Sequence, residues 1–123
     1  MENQELIKKA TSVVNYRDSG ECRMGGVGAA IETVDGNIYT GVCIDTRCSL
    51  GYCAEGNAIG TMVTAGESKI KKVVAIRKRE GIEIVQPCGR CREFIRQIHQ
   101  DNLNTEVLIL SLIHISEPTR QLC

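Results

Sequence analysis

Two short cysteine motifs constrain this chain more than any other feature. The first places Glu55 two residues after Cys53, and the second is Pro-Cys-Gly-Arg-Cys, in which two residues separate Cys88 from Cys91. Thiolates are good zinc ligands, and a catalytic zinc takes three protein ligands and leaves its fourth position to water. At the start of a helix Cys88 and Cys91 can reach one ion. The fold would then have to bring Cys53 to the same place.

Glu55 is the predicted proton-transferring carboxylate. It lies close enough to Cys53 in sequence to act as a general base toward water at the ion instead of binding the ion itself. This is the pattern of zinc-dependent nucleobase deaminases, which consists of a cysteine, one spacer residue, a glutamate that does not bind the metal, and a later Pro-Cys-x-x-Cys. The motifs therefore predict hydrolytic deamination of a cytosine-like ring, in which water attacks C4, Glu55 moves the protons and ammonia leaves.

Length and composition predict one globular domain. The chain has 123 residues, of which 42% are apolar and 24% charged, which is ordinary for a soluble protein. Its formal net charge is zero and aromatic residues make up 3%, so we expect no nucleic-acid partner. We expect no membrane partner either, since no apolar run approaches roughly 20 residues. The N-terminus is polar, unlike a signal peptide, and the seven cysteines then favour the reducing cytoplasm.

Hydrophobic periodicity and turn residues predict a layered α/β domain. Helices are expected at 4–16, 53–65 and 88–100, strands at 27–33, 37–44, 72–76 and 105–109, and loops at 17–26 and 77–81. The Asp-Gly at 35–36 indicates a hairpin between the first two strands. The third helix is expected to bury one face with Cys91, Phe94, Ile95 and Ile98. The small residues of the first strand indicate that a helix or a ligand packs closely against it, and the sequence does not decide which.

The end of the chain is predicted to be a non-native tail. Residues 110–120 match the translation of a transposon adapter used in preparing sequencing libraries. We therefore expect a zinc domain at 1–109 and a tail at 110–123 that did not evolve with it, so that the natural C-terminal segment would be missing. The alternative is that 107–115 forms one long buried strand.

From about residue 25 to residue 109 the chain resembles the cytidine deaminase superfamily. The matching strings are GVGAA at 26–30, DGNIYTG at 35–41, CAE at 53–55 and PCGRCR at 87–92. It is similar to the small branch of cytidine and blasticidin S deaminases whose three zinc ligands are all cysteines. The resemblance implies a three-layer α-β-α fold with a mixed five-stranded sheet, and a cytoplasmic homotetramer of pyrimidine salvage. It also implies that Cys53, Cys88 and Cys91 bind Zn²⁺ while Glu55 shuttles protons.

The resemblance also implies which residues meet the substrate. The backbone at Ala54 would contact the pyrimidine ring, and Cys43 and Asp45 stand where relatives hold the ribose with Asn and Glu. Gly56 stands where many relatives have an arginine after the catalytic glutamate. Because three thiolates leave a zinc site negatively charged, we expect Arg90 to support catalysis by donating to sulfur. Cytidine, deoxycytidine and a blasticidin S-like nucleoside all remain candidate substrates.

Several alternative interpretations stay open. The Cys-x-x-Cys could be a redox pair, although such a motif needs no third cysteine followed by glutamate. A structural zinc site would need a fourth protein ligand, which Cys43 or Cys48 could supply. A truncated, catalytically inactive zinc-binding domain with a structural or interaction role is a further possibility. So is a deaminase that acts on tRNA or DNA.

Overall fold

The computed structural model describes residues 2–47, 50–78 and 81–109, together with the backbone of 113–114. Its helices are α1 (Asn3–Ser12), α2 (Ala54–Thr64) and α3 (Gly89–Ile98), followed by a 3₁₀ helix (Gln100–Asn104). Its strands are β1 (Arg17–Asp18), β2 (Arg23–Thr33), β3 (Ile38–Asp45), β4 (Ile70–Lys78), β5 (Ile82–Ile84), β6 (Glu106–Val107) and β7 (Ile113–His114). Strands alternate with helices, as the sequence predicts.

All the described strands belong to one mixed sheet. The long strands β2 and β4 run antiparallel to each other, and β3 is antiparallel to β2 on its other edge. β6 is parallel to β4, whereas β5 is antiparallel to it. The resemblance implied five strands, but the described sheet has seven. Four of the seven, namely β1, β5, β6 and β7, are pieces of only two or three residues, so the number depends on which short pairings are counted as strands.

The sheet lies between two helical layers, so the expected three-layer arrangement is confirmed. Successive side chains of a strand point to opposite faces, and the buried residues therefore divide into two clusters. The cluster on the α1 side consists of Leu6, Ala10, Ala30, Val74, Ile76 and Leu108. The cluster on the side of α2 and α3 includes Ala29, Ile31, Val73 and Ala75 of the sheet and Ala58, Ile59, Met62 and Ile95 of the helices.

Two glycines set how closely the helices approach the sheet. A Cβ atom at Gly28 would lie 2.4 Å from the backbone oxygen of Ala10, so a helix, α1, packs against the small residues of β2. On the other face, a Cβ atom at Gly41 would lie 2.5 Å from the backbone nitrogen of Ala58 in α2. Only a residue without a side chain permits either contact. The helix that follows Cys53 is thereby held directly against β3.

The chain between α1 and β2 differs from the prediction. α1 ends at Ser12 and not near Tyr16, because the N–H of Asn15 donates to the carbonyl of Gly25 at 2.8 Å. The residues that follow form β1 and pair with the start of β2. The predicted loop at 17–26 therefore contains strand structure, since hairpin pairing with the start of β2 outweighs local helix propensity.

The predicted charged turn at 77–81 begins later than expected. Arg77 belongs to β4 and pairs across the ladder with Val27 and Glu83. Its guanidinium also donates to the Glu83 carboxylate at 2.8 Å. Residues 79–80 lie outside the described residues.

Most of the predicted tail, 110–112 and 115–123, lies outside the described residues. The backbone of Ile113–His114 forms β7, which runs antiparallel to β6. The alternative of one long strand over 107–115 is therefore wrong, whereas the non-native origin of the tail stays a prediction. In the described part of the chain, no helix combines the length and apolar character needed to cross a membrane.

Candidate metal centre and active site

The two cysteine motifs meet where α2 and α3 begin. Cys53 is the N-cap residue of α2, Cys88 is the N-cap residue of α3, and Cys91 lies in the first turn of α3. The Sγ atoms of Cys53 and Cys91 are 2.8 Å apart, and those of Cys88 and Cys91 are 3.8 Å apart. Cys91 is thus close to both of the other thiols, whereas Cys88 is not in the group of described ligand atoms, from Cys53, Glu55 and Cys91, that lie within 4.8 Å of one another. Both helices point their N-termini, the positive ends of their dipoles, toward them.

The donor set fits a zinc ion. Tetrahedral coordination with Zn–S bonds of about 2.3 Å implies sulfur atoms roughly 3.8 Å apart, which is the separation of Cys88 from Cys91. The Cys53–Cys91 distance is shorter than this, and an ion bound between the two sulfurs would hold them farther apart. Among the described residues, ligand atoms of Cys53, Glu55 and Cys91 also lie within 4.8 Å of one another.

The thiols of Cys53 and Cys91 differ in proton affinity. The hydrogen bond from Cys91 is the main cause that lowers the pKa of Cys53 to about 6. The N–H of Gly56, 3.3 Å from the sulfur, and the positive charge of Arg90 lower the Cys53 pKa further. The same hydrogen bond, together with burial, raises the pKa of Cys91.

Glu55 is buried beside these sulfurs, in the first turn of α2. Its side chain is only 5% exposed. Burial raises the pKa of the carboxyl to about 7, and the negative charge of Cys53 raises it further. A carboxyl with a pKa near neutrality can both accept and return a proton at physiological pH.

The predicted substrate contacts occupy different environments. Ala54 is buried at the start of α2, next to the thiols. Cys43 is buried in the core, and its sulfur accepts a hydrogen bond from the N–H of Val27 at 3.3 Å. Asp45 lies exposed at the end of β3, and Arg90 lies exposed in the first turn of α3.

The possible fourth ligands are not part of the described cluster. Among the described residues, Cys43 and Cys88 are both outside the group of ligand atoms from Cys53, Glu55 and Cys91, but the Cys88 sulfur lies 3.8 Å from that of Cys91, whereas the Cys43 sulfur is hydrogen-bonded to the N–H of Val27 in the core. Cys48 lies outside the described residues. The described cysteines, namely Cys22, Cys43, Cys53, Cys88 and Cys91, are all free thiols.

The structure places two further residues at the site, Asn57 and Phe94, which the sequence did not identify as site residues. The side-chain amide of Asn57 donates to the backbone oxygen of Val42 at 3.1 Å and ties the first turn of α2 to β3. Phe94, which the helical pattern placed on a buried face, is instead 43% exposed. Its ring lies near Gly56. Its position three residues after Cys91 was the available signal, because such residues share a helix face.

Residues 1–106 match the family model described as the cytidine and deoxycytidylate deaminase zinc-binding region. The chain belongs to this family. It is accordingly a deaminase-type hydrolase, with Zn²⁺ as its cofactor. The predicted family, the α/β fold, the enzyme class and the metal are thereby confirmed.

Individual relatives agree with the family assignment. A blasticidin-S deaminase from Bacillus cereus is 35% identical over 106 residues, covering 79% of this chain and 73% of that protein. A probable cytidine deaminase from Dictyostelium discoideum is 31% identical over 97 residues, covering 76% of this chain and 65% of that protein. The crystal structure of cytidine deaminase from Mycobacterium leprae superimposes with a TM-score of 0.77 at 21% identity, covering 94% of this chain and 96% of that one. This last likeness shows the shared fold.

Proposed function

We propose that this chain catalyses the zinc-dependent hydrolytic deamination of a cytosine-type aminopyrimidine nucleoside to the uracil-type product and ammonia. The candidate substrates are cytidine, deoxycytidine and blasticidin S-like nucleosides. The observation that carries the proposal is the buried carboxyl of Glu55 beside the thiols of Cys53 and Cys91. A purely structural zinc site uses four protein ligands and has no need of such a carboxyl.

Each step of the proposed mechanism has a residue in this site. Cys53, Cys88 and Cys91 would hold the ion as thiolates at the ends of two helices. The bound ion supplies Lewis-acid activation of the attacking water. Glu55 takes the two protons of the attacking water in turn, passing the first to the ring nitrogen and the second, from the newly added hydroxyl group, to the amine that leaves as ammonia. The backbone at Ala54 meets the pyrimidine ring, so that the ring lies against the start of α2.

The excess negative charge of the three thiolates requires compensation by nearby positive groups. Three thiolates outweigh the charge of a divalent cation by one negative unit, which weakens the ion as a Lewis acid. The N-termini of α2 and α3 offset part of this excess, each being equivalent to about half a positive charge. We assign a further part to Arg90, whose positive charge lowers the pKa of Cys53. Arg90 therefore supports catalysis without touching the substrate.

The nucleoside's sugar would lie toward the end of β3. Asp45 is exposed there and is available to accept a hydrogen bond from a sugar hydroxyl. The sulfur of Cys43 is already engaged by Val27, so this residue would contribute shape and not a polar contact. The ribose would consequently be held differently from that of the relatives with Asn and Glu at these positions.

The proposal includes a cellular setting. We propose the reducing cytoplasm because the site needs reduced thiols and the described cysteines are free. By resemblance we also propose a homotetramer that serves pyrimidine salvage. The partner is a small nucleoside, with neither nucleic acid nor membrane involved.

An ammonia-release assay tests this function directly. The wild-type chain, its zinc content measured, would be offered each of the three candidate substrates. We expect release with at least one of them, and we expect Glu55→Gln to keep its zinc but to lose activity by at least roughly 100-fold. A zinc-loaded wild type that releases no ammonia would favour the inactive zinc-binding domain, and an active Glu55→Gln would rule out the mechanism.

A further inference from the structure

Phe94 is a large apolar side chain without a place in the core. It is 43% exposed, and neither of the two clusters of buried residues in the described chain includes it. It lies on α3, one turn beyond Cys91. An exposed aromatic ring next to a metal-binding cluster calls for an explanation other than core packing.

Gly56 connects this ring to the metal site. A Cβ atom built at Gly56 would lie 3.3 Å from the Sγ of Cys53 and 3.9 Å from the Cε2 of Phe94. The sulfur and the edge of the ring therefore face the same small space, which the missing side chain of Gly56 leaves open. The N–H of Gly56 also donates to that sulfur at 3.3 Å.

We propose that Phe94 is a positioning residue for Cys53. Its ring covers the space above Gly56, separates the Cys53 sulfur from bulk water and limits the movement of that sulfur. Sulfur makes favourable contacts with aromatic ring edges, and the apolar surroundings of a metal site control the access of solvent to it. The ring thereby slows both escape of the ion and attack on the thiol by external reagents.

This inference rests on the proposed role of Cys53 as a zinc ligand. The test uses the full zinc-loaded chain and measures zinc release to a chelating dye and alkylation of each cysteine by iodoacetamide, resolved by mass spectrometry. The variants are Phe94→Ala, the conservative Phe94→Leu, and Val63→Ala. Val63 is a matched control because it is 48% exposed on α2, outside the turn that contains Cys53.

We expect Phe94→Ala to speed both zinc release and alkylation of Cys53 by roughly 10-fold, the lower range for residues that surround metal ligands. Alkylation of Cys22, a free thiol remote in sequence from the site, should not change. Phe94→Leu should restore most of the protection, and Val63→Ala should behave as the wild type. If Phe94→Ala only destabilised the fold, iodoacetamide would alkylate both Cys53 and Cys22 faster.

Other outcomes overturn the inference. Unchanged rates at Cys53 in Phe94→Ala, or equal increases at Cys22, would show that the ring does not protect this sulfur. If Phe94→Ala dissociates an oligomer and the rate rises only in the dissociated fraction, the ring acts at an interface and the assignment is wrong. Failure of the ligand assignment is recognised separately, because Cys53→Ser would then leave the zinc content unchanged, and failure of the proposed deaminase activity is recognised in the ammonia-release assay.

Discussion

The side-chain oxygen of Asn102 accepts a hydrogen bond from the backbone N–H of Ile70 at 2.8 Å. Its amide donates to the backbone oxygens of Ser68 and Ile95, each at 3.0 Å. Asn102 is completely buried, so water cannot replace these contacts. One side chain thus joins the 3₁₀ helix, the C-terminal half of α3 and the start of β4, and it anchors the helix that carries Cys91.

We therefore expect Asn102→Ala to destabilise the protein markedly. The substitution leaves buried backbone groups without partners, at about 1–3 kcal/mol for each group, so a loss of at least about 2 kcal/mol is expected. Chemical denaturation measures it. Asn104→Ala is the matched control, since Asn104 is exposed in the same 3₁₀ helix. Equal stability of the two variants would contradict the anchoring role.

Zinc content should identify the ligands. Replacing Cys53, Cys88 or Cys91 with serine should each abolish the one zinc expected per chain, because a catalytic site with three ligands tolerates no such loss. Elemental analysis of the purified variants measures this, with Cys22→Ser as the control.

The same measurement addresses the four-ligand alternative. Cys43→Ser and Cys48→Ser should both retain zinc. Loss of zinc from either variant would indicate a structural site with four protein ligands and would count against the catalytic interpretation.

Arg90→Ala should retain zinc and lose most of the deaminase activity. Removing this cation leaves the excess thiolate charge less compensated, and changes around metal ligands typically cost roughly 10–100-fold. Arg96→Ala is a suitable control, because Arg96 is exposed on the same helix but is paired with Glu93. Steady-state kinetics on the substrate identified in the ammonia assay gives the comparison. Wild-type turnover by Arg90→Ala would exclude its supporting role.

Deleting residues 110–123 should change thermal stability little. The segment is predicted not to have evolved with the core, and its described contact is the two-residue pairing of β7 with β6. Differential scanning calorimetry of the full and shortened chains tests this. A fall of several degrees in melting temperature, roughly the effect of 1 kcal/mol on a small domain, would show that the segment is integrated into the fold.

Local patterns predicted the parts of the fold that depend on local interactions. The Cys-Ala-Glu string begins α2 and the Pro-Cys-x-x-Cys begins α3, as the sequence patterns predicted, whereas the role of the three thiols as zinc ligands stays a prediction. The Asp-Gly turn likewise joins β2 to β3. These features depend on capping, turn chemistry and periodicity, which neighbouring residues determine.

The missed features depend on residues far apart in the chain. Asn102 and Ile70 are 32 positions apart, and no sequence period marks a polar side chain that is buried by such a partner. The exposure of Phe94 has the same origin, because Phe94 borders space left by Gly56 on another helix. The early end of α1 has a nearer cause, since the N–H of Asn15 bonds the carbonyl of Gly25 in the following hairpin.

The contact at Gly41 limits how this protein can change during evolution. Any side chain at Gly41 would meet the backbone of α2 and push that helix outward, together with the thiol and the carboxyl at its first turn. Gly60, an exposed residue of the same helix, has open space beside it and can accept substitutions. The hydrogen atom that Gly41 has in place of a side chain therefore sets the distance between β3 and α2. In this part of the chain we expect substitutions to be tolerated on the exposed side of α2.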